Sequence, residues 1–496
     1  MKNKTFSPNQ SANNRSLQEQ GSQVEATSEA SGQTALSQSI QDLKRKIAKT
    51  MTHPVIFGLM FVLVMLNVPL NAQSAPQQFV PFKDFLASTE AASSSNYLGQ
   101  GANQVRDAAA FEAMRQHILT MYQAVEVSHS FLLDSSHFDC IPTVQQPTVR
   151  ILGLKSIASP PPQSMLAPPS SAGDGTSEVP VKSAAQLDPG KLFDEFGNSV
   201  VCEANTIPMR RLTLEEMTRF PTLQQFFQKG PDGAGKALGS DLTNPLIAAT
   251  HKYSYTLQSV NNLGGNSNLN LWSPYVNTSA GEIFSLSQEW YVGGSGTKLP
   301  GEQTAEVGWQ NYPAKYNSES SKLFIYWTAD GYTTTGCYNL DCAAFVQVAD
   351  SGDLGAGFSN YSALGGAQYE FVAQYYLFNG NWWLGIQGTW IGYYPGSIYH
   401  GGQLASHATE IEFGTEGVGT TLWPPEGSGD ASSKAFGYAA YQRNLFYLNT
   451  SATSIWDSLT PEDPSPKCYS ISGPYSSSSS GWTVYFYEGG PGGSGC

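Results

Sequence analysis

At 496 residues the chain is too long for one ordinary domain, so two folded units with tails are expected. Its formal net charge of −14 argues against nucleic acid or an anionic membrane as a partner. Only 13% of residues are charged, while glycine (49), tyrosine (25) and phenylalanine (24) are abundant, which favours short strands and tight turns over helical bundles.

Residues 1–50 are rich in Ser, Gln and Asn and carry no hydrophobic period, so a disordered N-terminal extension is predicted, with translation starting at Met1 or Met51. Lys44, Arg45, Lys46 and Lys49 precede the apolar run VIFGLMFVLVMLNVPL. Its length suits a signal-peptide core and is short for a membrane span, so residues 51–75 are predicted to be a signal peptide closed by Ala72 or Ala75. An uncleaved anchor is the other reading. In either case the chain beyond residue 75 lies outside the cytoplasm, and the mature form is expected to be secreted, off the membrane and monomeric.

Residues 103–125 space Phe111, Met114, Ile118 and Met121/Tyr122 as an amphipathic helix would. Cys140 comes next, then a Pro/Ser-rich stretch at about 159–185 that reads as a flexible spacer able to bury little. Beyond it stand Cys202 and the polar helical segment LEEMTRFPTLQQFFQKG. Residues 231–250 form a second, Gly-rich joint. From residue 251 onward helical periods disappear and short aromatic-rich runs alternate with turn residues. That pattern predicts an antiparallel β-sandwich or barrel of residues 251–496 with its own core.

The chemistry open to this region narrows by elimination. His251, His400 and His407 form no metal-binding pair, and Cys337, Cys342, Cys468 and Cys496 have no histidine complement at zinc spacing. There is no Walker loop, dinucleotide fingerprint or GxSxG elbow, and no cofactor or metal is expected. The residues that look placed for chemistry are carboxylates. Glu306 in AEVGWQ shares a strand face with Gly308 and Gln310, and Glu412 and Glu416 in IEFGTE stand four apart on one face. Most strand glutamates are merely solvated. A carboxylate pair among aromatics also suits a glycoside hydrolase, and a non-catalytic sugar-binding module on a similar sandwich is a further alternative.

Ten ordered segments then point further: LNLWSPYV, FSLSQEWYVGG, AEVGWQNYP, LFIYWTADGYTTTGCYNLDCAAFVQ, GGAQYEFV, NWWLGI, IGYYP, ATEIEFGTE, AYQRN and YFYEGGPG. Together with FDCIPTVQQP and CEANTIPMRR upstream, residues 131–496 resemble the neprosin family of glutamic peptidases and its N-terminal activation segment. The resemblance implies an antiparallel β-sandwich of two large curved sheets, preceded by a smaller α/β or mixed pro-domain at residues 76–230. It implies a metal-independent endopeptidase, made as a latent precursor and processed in the joint, with its own pro-segment as inhibitor and a polypeptide as substrate. Cleavage after proline is the family's preference.

By motif, Glu306 matches the first catalytic glutamate and Glu416 the second, with Glu412 as the alternative. Thr415 stands where the family has glycine. Gln310, Tyr326, Trp327, Tyr332, Gln288 and Gln368 are expected to position substrate or an oxyanion. The resemblance also implies a Cys337–Cys342 loop staple. Cys468 with Cys496 would tie down the C-terminus, and Cys140 with Cys202 would clip the flanks of the spacer.

Overall fold

The chain between residues 78 and 229 forms a small mixed part of one unit that continues to Cys496. In the computed structural model, which describes residues 78–166, 181–183, 192–229, 249–294, 301–477 and 482–496, it opens with helices α1 (Phe82–Ala91) and α2 (Ala108–Met121). The predicted extension, the signal peptide and nearly all of the Gly-rich joint lie outside these residues. Asp107 caps α2 by accepting from the Ala110 amide, so the helix starts later than its apolar spacing alone suggests. Phe111, Met114, Ile118 and Met121 are its buried stripe.

Strands β1 (His129–Leu133) and β2 (Ser136–Pro142) form a hairpin, and helix α3 (Pro147–Ile151) comes after it. The spacer departs from expectation. Its first part docks on the larger β-rich part of the chain, where the Met165 carbonyl accepts from the Gln374 amide. Residues of its far end form β3 (Val181–Ser183), which pairs in parallel with β11 (Gln368–Phe378). An exposed strand edge offers unpaired backbone groups, and a polar segment can satisfy them without burying side chains.

Strand β4 (Thr206–Arg210) completes a three-stranded sheet beside β2. Cys140–Cys202 closes this part, and the buried Arg211 guanidinium donates to both oxygens of buried Asp139. Two short helices end it, α4 (Leu214–Met217) and α5 (Leu223–Phe227), where the sequence predicts one polar helical segment. Pro221 lies between them, and proline is a poor continuation for a helix.

The larger part begins with β5 (Thr250–Asn270), then β6 (Glu282–Gly294) and β7 (Glu302–Asn311). A turn of helix, α6 (Pro313–Tyr316), leads to β8 (Lys322–Thr328), β9 (Cys337–Tyr338) and β10 (Val346–Gln347). After β11 come β12 (Asn381–Ile386), β13 (Thr389–Pro395) and β14 (Ala408–Gly419). The chain closes with β15 (Ala440–Asn449), β16 (Ser454–Trp456), β17 (Thr460–Glu462), β18 (Ser470–Ser476) and β19 (Val484–Gly489).

The two curved layers implied by the resemblance are present, but they are halves of one hydrogen-bonded sheet. Among the described residues the order runs β10-β13-β12-β11-β5-β14-β6-β7-β8-β9, and β15 also pairs with β5. The long β5 makes this join: its first half pairs with β14, and its second half pairs with β11 and β15. A twisted sheet of this many strands curls onto itself and buries one face. Tyr291 and Trp309 from one layer and Tyr375 and Trp382 from the other fill the interior, with Tyr291 at 5.5 Å from Tyr375 and 5.7 Å from Trp382 between ring centroids. Cys337–Cys342 staples the loop after β9, and Cys468–Cys496 holds the C-terminus.

Candidate active site

Alternation along the strands decides which residues leave the core face. On β7, Val307 and Trp309 point inward, so Glu306, Gly308 and Gln310 point to the other face. Register extends that face sideways: Glu306 stands opposite Trp290 on β6, and Trp290 opposite Glu412 on β14. Gln288 stands between Gly308 and Gly414. These glycines permit close packing beside Gln288. A Cβ on Gly308 would lie 2.1 Å from the Ser287 carbonyl oxygen, and one on Gly414 would lie 2.4 Å from the Tyr255 Cβ.

Glu306 and Glu416 converge on one nitrogen. The Lys229 ammonium, just beyond α5, lies 2.5 Å from Glu306 Oε2 and 2.9 Å from Glu416 Oε2. All three side chains are nearly sealed from solvent, at 4%, 0% and 1% exposure. Glu306 Oε1 accepts from Tyr332 OH and from Thr304 Oγ1, both at 2.7 Å. Glu416 Oε1 meets His251 Nδ1 at 2.5 Å. Trp290 lies under the ammonium, 5.3 Å from ring centroid to nitrogen.

Tyr332 reaches Glu306 from a left-handed backbone position, φ 59°, which a bulky residue adopts only when its surroundings impose it. Asp330 supplies that constraint. Its carboxylate accepts from the amides of Thr333, Thr334 and Thr335 and from the hydroxyls of Thr328, Thr334 and Thr335. Although its partial burial opposes ionisation, these donors hold the Asp330 carboxyl below the usual aspartate value.

Electrostatics separate the neighbouring acids. Burial would push Glu416 up, yet Lys229 and His251 outweigh it and lower its pKa to about 2. Burial also opposes the charge on Lys229, but the two carboxylates win and raise it. Glu412, half-buried at the mouth of the same cleft, is pushed well above the ordinary glutamate value by burial and by Glu410. Tyr253, Tyr255, Val292 and Glu302 complete the lining of this cleft, whose volume is about 160 Å³.

The other expected positioning residues divide. Tyr332 touches Glu306 directly. Tyr326 is opposite Glu306 on β8, stacked 5.9 Å from the Tyr332 ring. Gln288 is fully buried and both ends of its amide lack a partner among the described residues. Gln310 lies farther along the same face, where its amide donates to Tyr338 OH. Trp327 corrects the expectation: one residue past Tyr326, it points to the opposite face and packs on Tyr394 and Tyr399. Gln368 is also misplaced, since it sits at the start of β11 and its amide braces the carbonyls of Ala363 and Gly366. Thr415, the departure from the family pattern, faces the core and leaves the cleft wall untouched; its hydroxyl donates to Glu426.

Sequence reasoning does not single out Lys229, His251, Thr304 or Tyr253 as site residues. A lone lysine in FFQKG and a lone histidine opening a strand carry no spacing signal, because their partners stand far away in sequence.

Residues 281–491 match the Neprosin family. Over those residues the chain is neprosin-like. The match spans β6 through β19 and contains both converging glutamates, while Lys229 and His251 precede it. Two crystal structures of scytalido-glutamic peptidase, one with a transition-state analogue inhibitor and one with a peptide-based analogue, are also similar in part. They share 8% and 9% identity, cover 48% of this chain and 98% of their own, and superpose with a TM-score of 0.27. The likeness of residues 281–491 to the Neprosin family supports a peptide hydrolase.

Proposed function

We propose that the chain is a secreted glutamic endopeptidase, made as a latent precursor, whose Glu306 and Glu416 activate water for attack on a peptide bond. The observation that carries this reading is the convergence of the two carboxylates on one buried ammonium. Without Lys229, two carboxyls so close would repel, and the pair would hold one proton between them in acid. One carboxylate then takes a proton from water while the other, protonated, serves the carbonyl oxygen. Because the pair works only with a single proton on it, activity belongs to acidic solution and fades as the second proton leaves.

In this reading residues 76–230 are the pro-segment and Lys229 is its latch. Phe226 packs edge-on at 5.4 Å against Phe220, which in turn meets Tyr312 at 6.0 Å. Lys315 of α6 donates to the Phe226 carbonyl and pairs with Asp341 at 2.7 Å. These contacts support a pro-segment that covers the cleft. The sign of the pH response comes from Glu416, whose pKa is depressed. Its ion pair with Lys229 is at full strength above the ordinary value of 4.5 and is lost as pH falls toward about 2. Acid therefore loosens the latch and sets the protonation the pair needs. The aromatic walls from Tyr253, Tyr255, Trp290 and Tyr332 suit a flat proline ring beside the cut.

The test is activity on casein and on proline-containing peptides after incubation at about pH 3, with soluble glucans as the control substrate. Glu306→Gln and Glu416→Gln each lower turnover by about 10²–10⁴-fold, whereas Glu412→Gln retains it. Full activity in both of the first two variants would remove the glutamate pair from the mechanism. Glucan hydrolysis would favour the glycosidase instead.

A further inference from the structure

Glu416 is held by two nitrogens of different origin. Lys229 comes from the segment that must depart, whereas His251 belongs to β5 of the same sheet. We propose that His251 is a positioning residue that holds Glu416 as the water-activating carboxylate, leaving Glu306 to deliver the proton. This assignment rests on the two-glutamate reading above and divides the labour that reading leaves shared.

The geometry singles out this histidine. Its Nδ1 lies 2.5 Å from Glu416 Oε1, and its side chain is 10% exposed. The ring stacks on Tyr253 at 6.3 Å and 25°, and Phe284 meets it edge-on at 6.2 Å and 82°, so the imidazole is clamped on both sides. Its Nε2 is buried and has no partner among the described residues, which leaves Glu416 as the polar contact of the ring. A clamped donor of this kind fixes both the orientation of the carboxylate and the oxygen that stays free.

Glu306 is held differently. Tyr332 and Thr304 donate to its Oε1 through neutral hydroxyls. Hydroxyls tolerate a protonated carboxyl, because the proton can sit on Oε2, the oxygen that faces Lys229. The remaining groups facing Glu416 do not reverse this asymmetry. Tyr253 of β5 and Tyr326 of β8 are neutral phenols held far above their ordinary values by burial. Glu426 on the core side of β14 is likewise pushed up by burial. Lys252, next to His251, turns away to Trp423.

The step balances without any further reactant. Glu416 removes a proton from water as the water oxygen bonds to the scissile carbon, and Glu306 gives its proton to the carbonyl oxygen. On collapse the C–N bond breaks, the amine nitrogen takes the proton from Glu416, and a hydroxyl proton of the intermediate returns to Glu306.

The experiment compares acid-matured wild type with His251→Asn, which keeps an amide donor near the Nδ1 position, and His251→Leu, which removes it. In His251→Leu the acid limb of kcat/KM moves up by about one pH unit or more, while His251→Asn moves less and recovers most of the rate. An unmoved acid limb in a folded, active His251→Leu enzyme overturns the proposal. If His251→Leu does not mature, ¹³C titration of glutamate Cδ in full-length Lys229→Met is compared with Lys229→Met/His251→Leu. The Glu416 midpoint is expected about one pH unit higher in the double variant, and equal midpoints overturn the proposal. Failure of the underlying reading looks different: Glu306→Gln and Glu416→Gln would both stay active whatever happens at His251.

Discussion

Strand β14 borders two acid clusters on its opposite faces, and they behave in opposite ways. On the cleft face Glu416 is buried and ionised, lowered to about 2, because Lys229 and His251 face it. On the core face, Thr415 and its neighbour Ser287 lead to Glu426 and Glu488, which are equally buried. Their partners are hydroxyls and an amide: Thr415 donates to Glu426, Ser287 donates to Glu488, and Gln442 donates to Ser287. With no cation beside it among the described residues, burial raises Glu488 to about 8 and pushes Glu426 well above the usual range. Burial is therefore common to both clusters, and the presence of a cation decides which side of the sheet keeps its charge.

The largest break in this contrast is expected from Lys229→Met. It leaves two buried carboxyls facing one another without that ammonium, and breaking a buried pair in this way costs about 3–5 kcal/mol. Above about pH 6 the precursor should melt at markedly lower temperature, and it should cleave peptides without acid pretreatment. A precursor that remains both latent and fully stable would show that Lys229 is not the latch.

Glu488→Gln sharpens the other side. A carboxyl whose folded pKa is raised lends stability that is complete below its unfolded value near 4.5 and is lost as pH climbs through about 8. The swing is on the order of 5 kcal/mol at the upper bound. The glutamine variant should lose this slope: its melting temperature should vary less than that of wild type between about pH 5 and 8, while acid activity is kept. An identical slope in both proteins would mean that Glu488 ionises normally.

The smallest effect is expected from Thr415→Val, which preserves shape but removes the hydroxyl that Glu426 accepts from. It should cost about 1–3 kcal/mol in thermal or denaturant unfolding and change kcat/KM little, because the side chain faces away from the cleft. A large loss of activity with unchanged stability would contradict that placement.

Much of this arrangement was legible in the chain. Alternation about Val307 and Trp309 put Glu306 and Gln310 on one face, and the motif order brought a second glutamate from β14 to the same cleft. The expected roles of Trp327 and Gln368 do not hold: alternation itself turns Trp327, one residue past Tyr326, to the opposite face, and Gln368 braces a loop at the start of β11. His251 and Lys229 were invisible for a different reason. Each acquires its meaning only from a carboxylate far along the sequence, and pairing across such distances is set by sheet register, here β14 against β5. The continuity of the two layers through β5 was hidden in the same way, since no local pattern announces that one strand serves both.

One consequence of that register concerns the tether. Lys229 and His251 both touch Glu416, so the stretch of chain between them starts and finishes at a single carboxylate. A tethered occupant of this kind competes at an effective concentration in the millimolar range, however weakly its few contacts would hold on their own. In the proposed precursor, cutting that stretch turns a self-contained equilibrium into one that dilution can drive. In that proposal a single nick makes departure permanent, and the timing of activity is set by whatever weakens the grip on that carboxylate first.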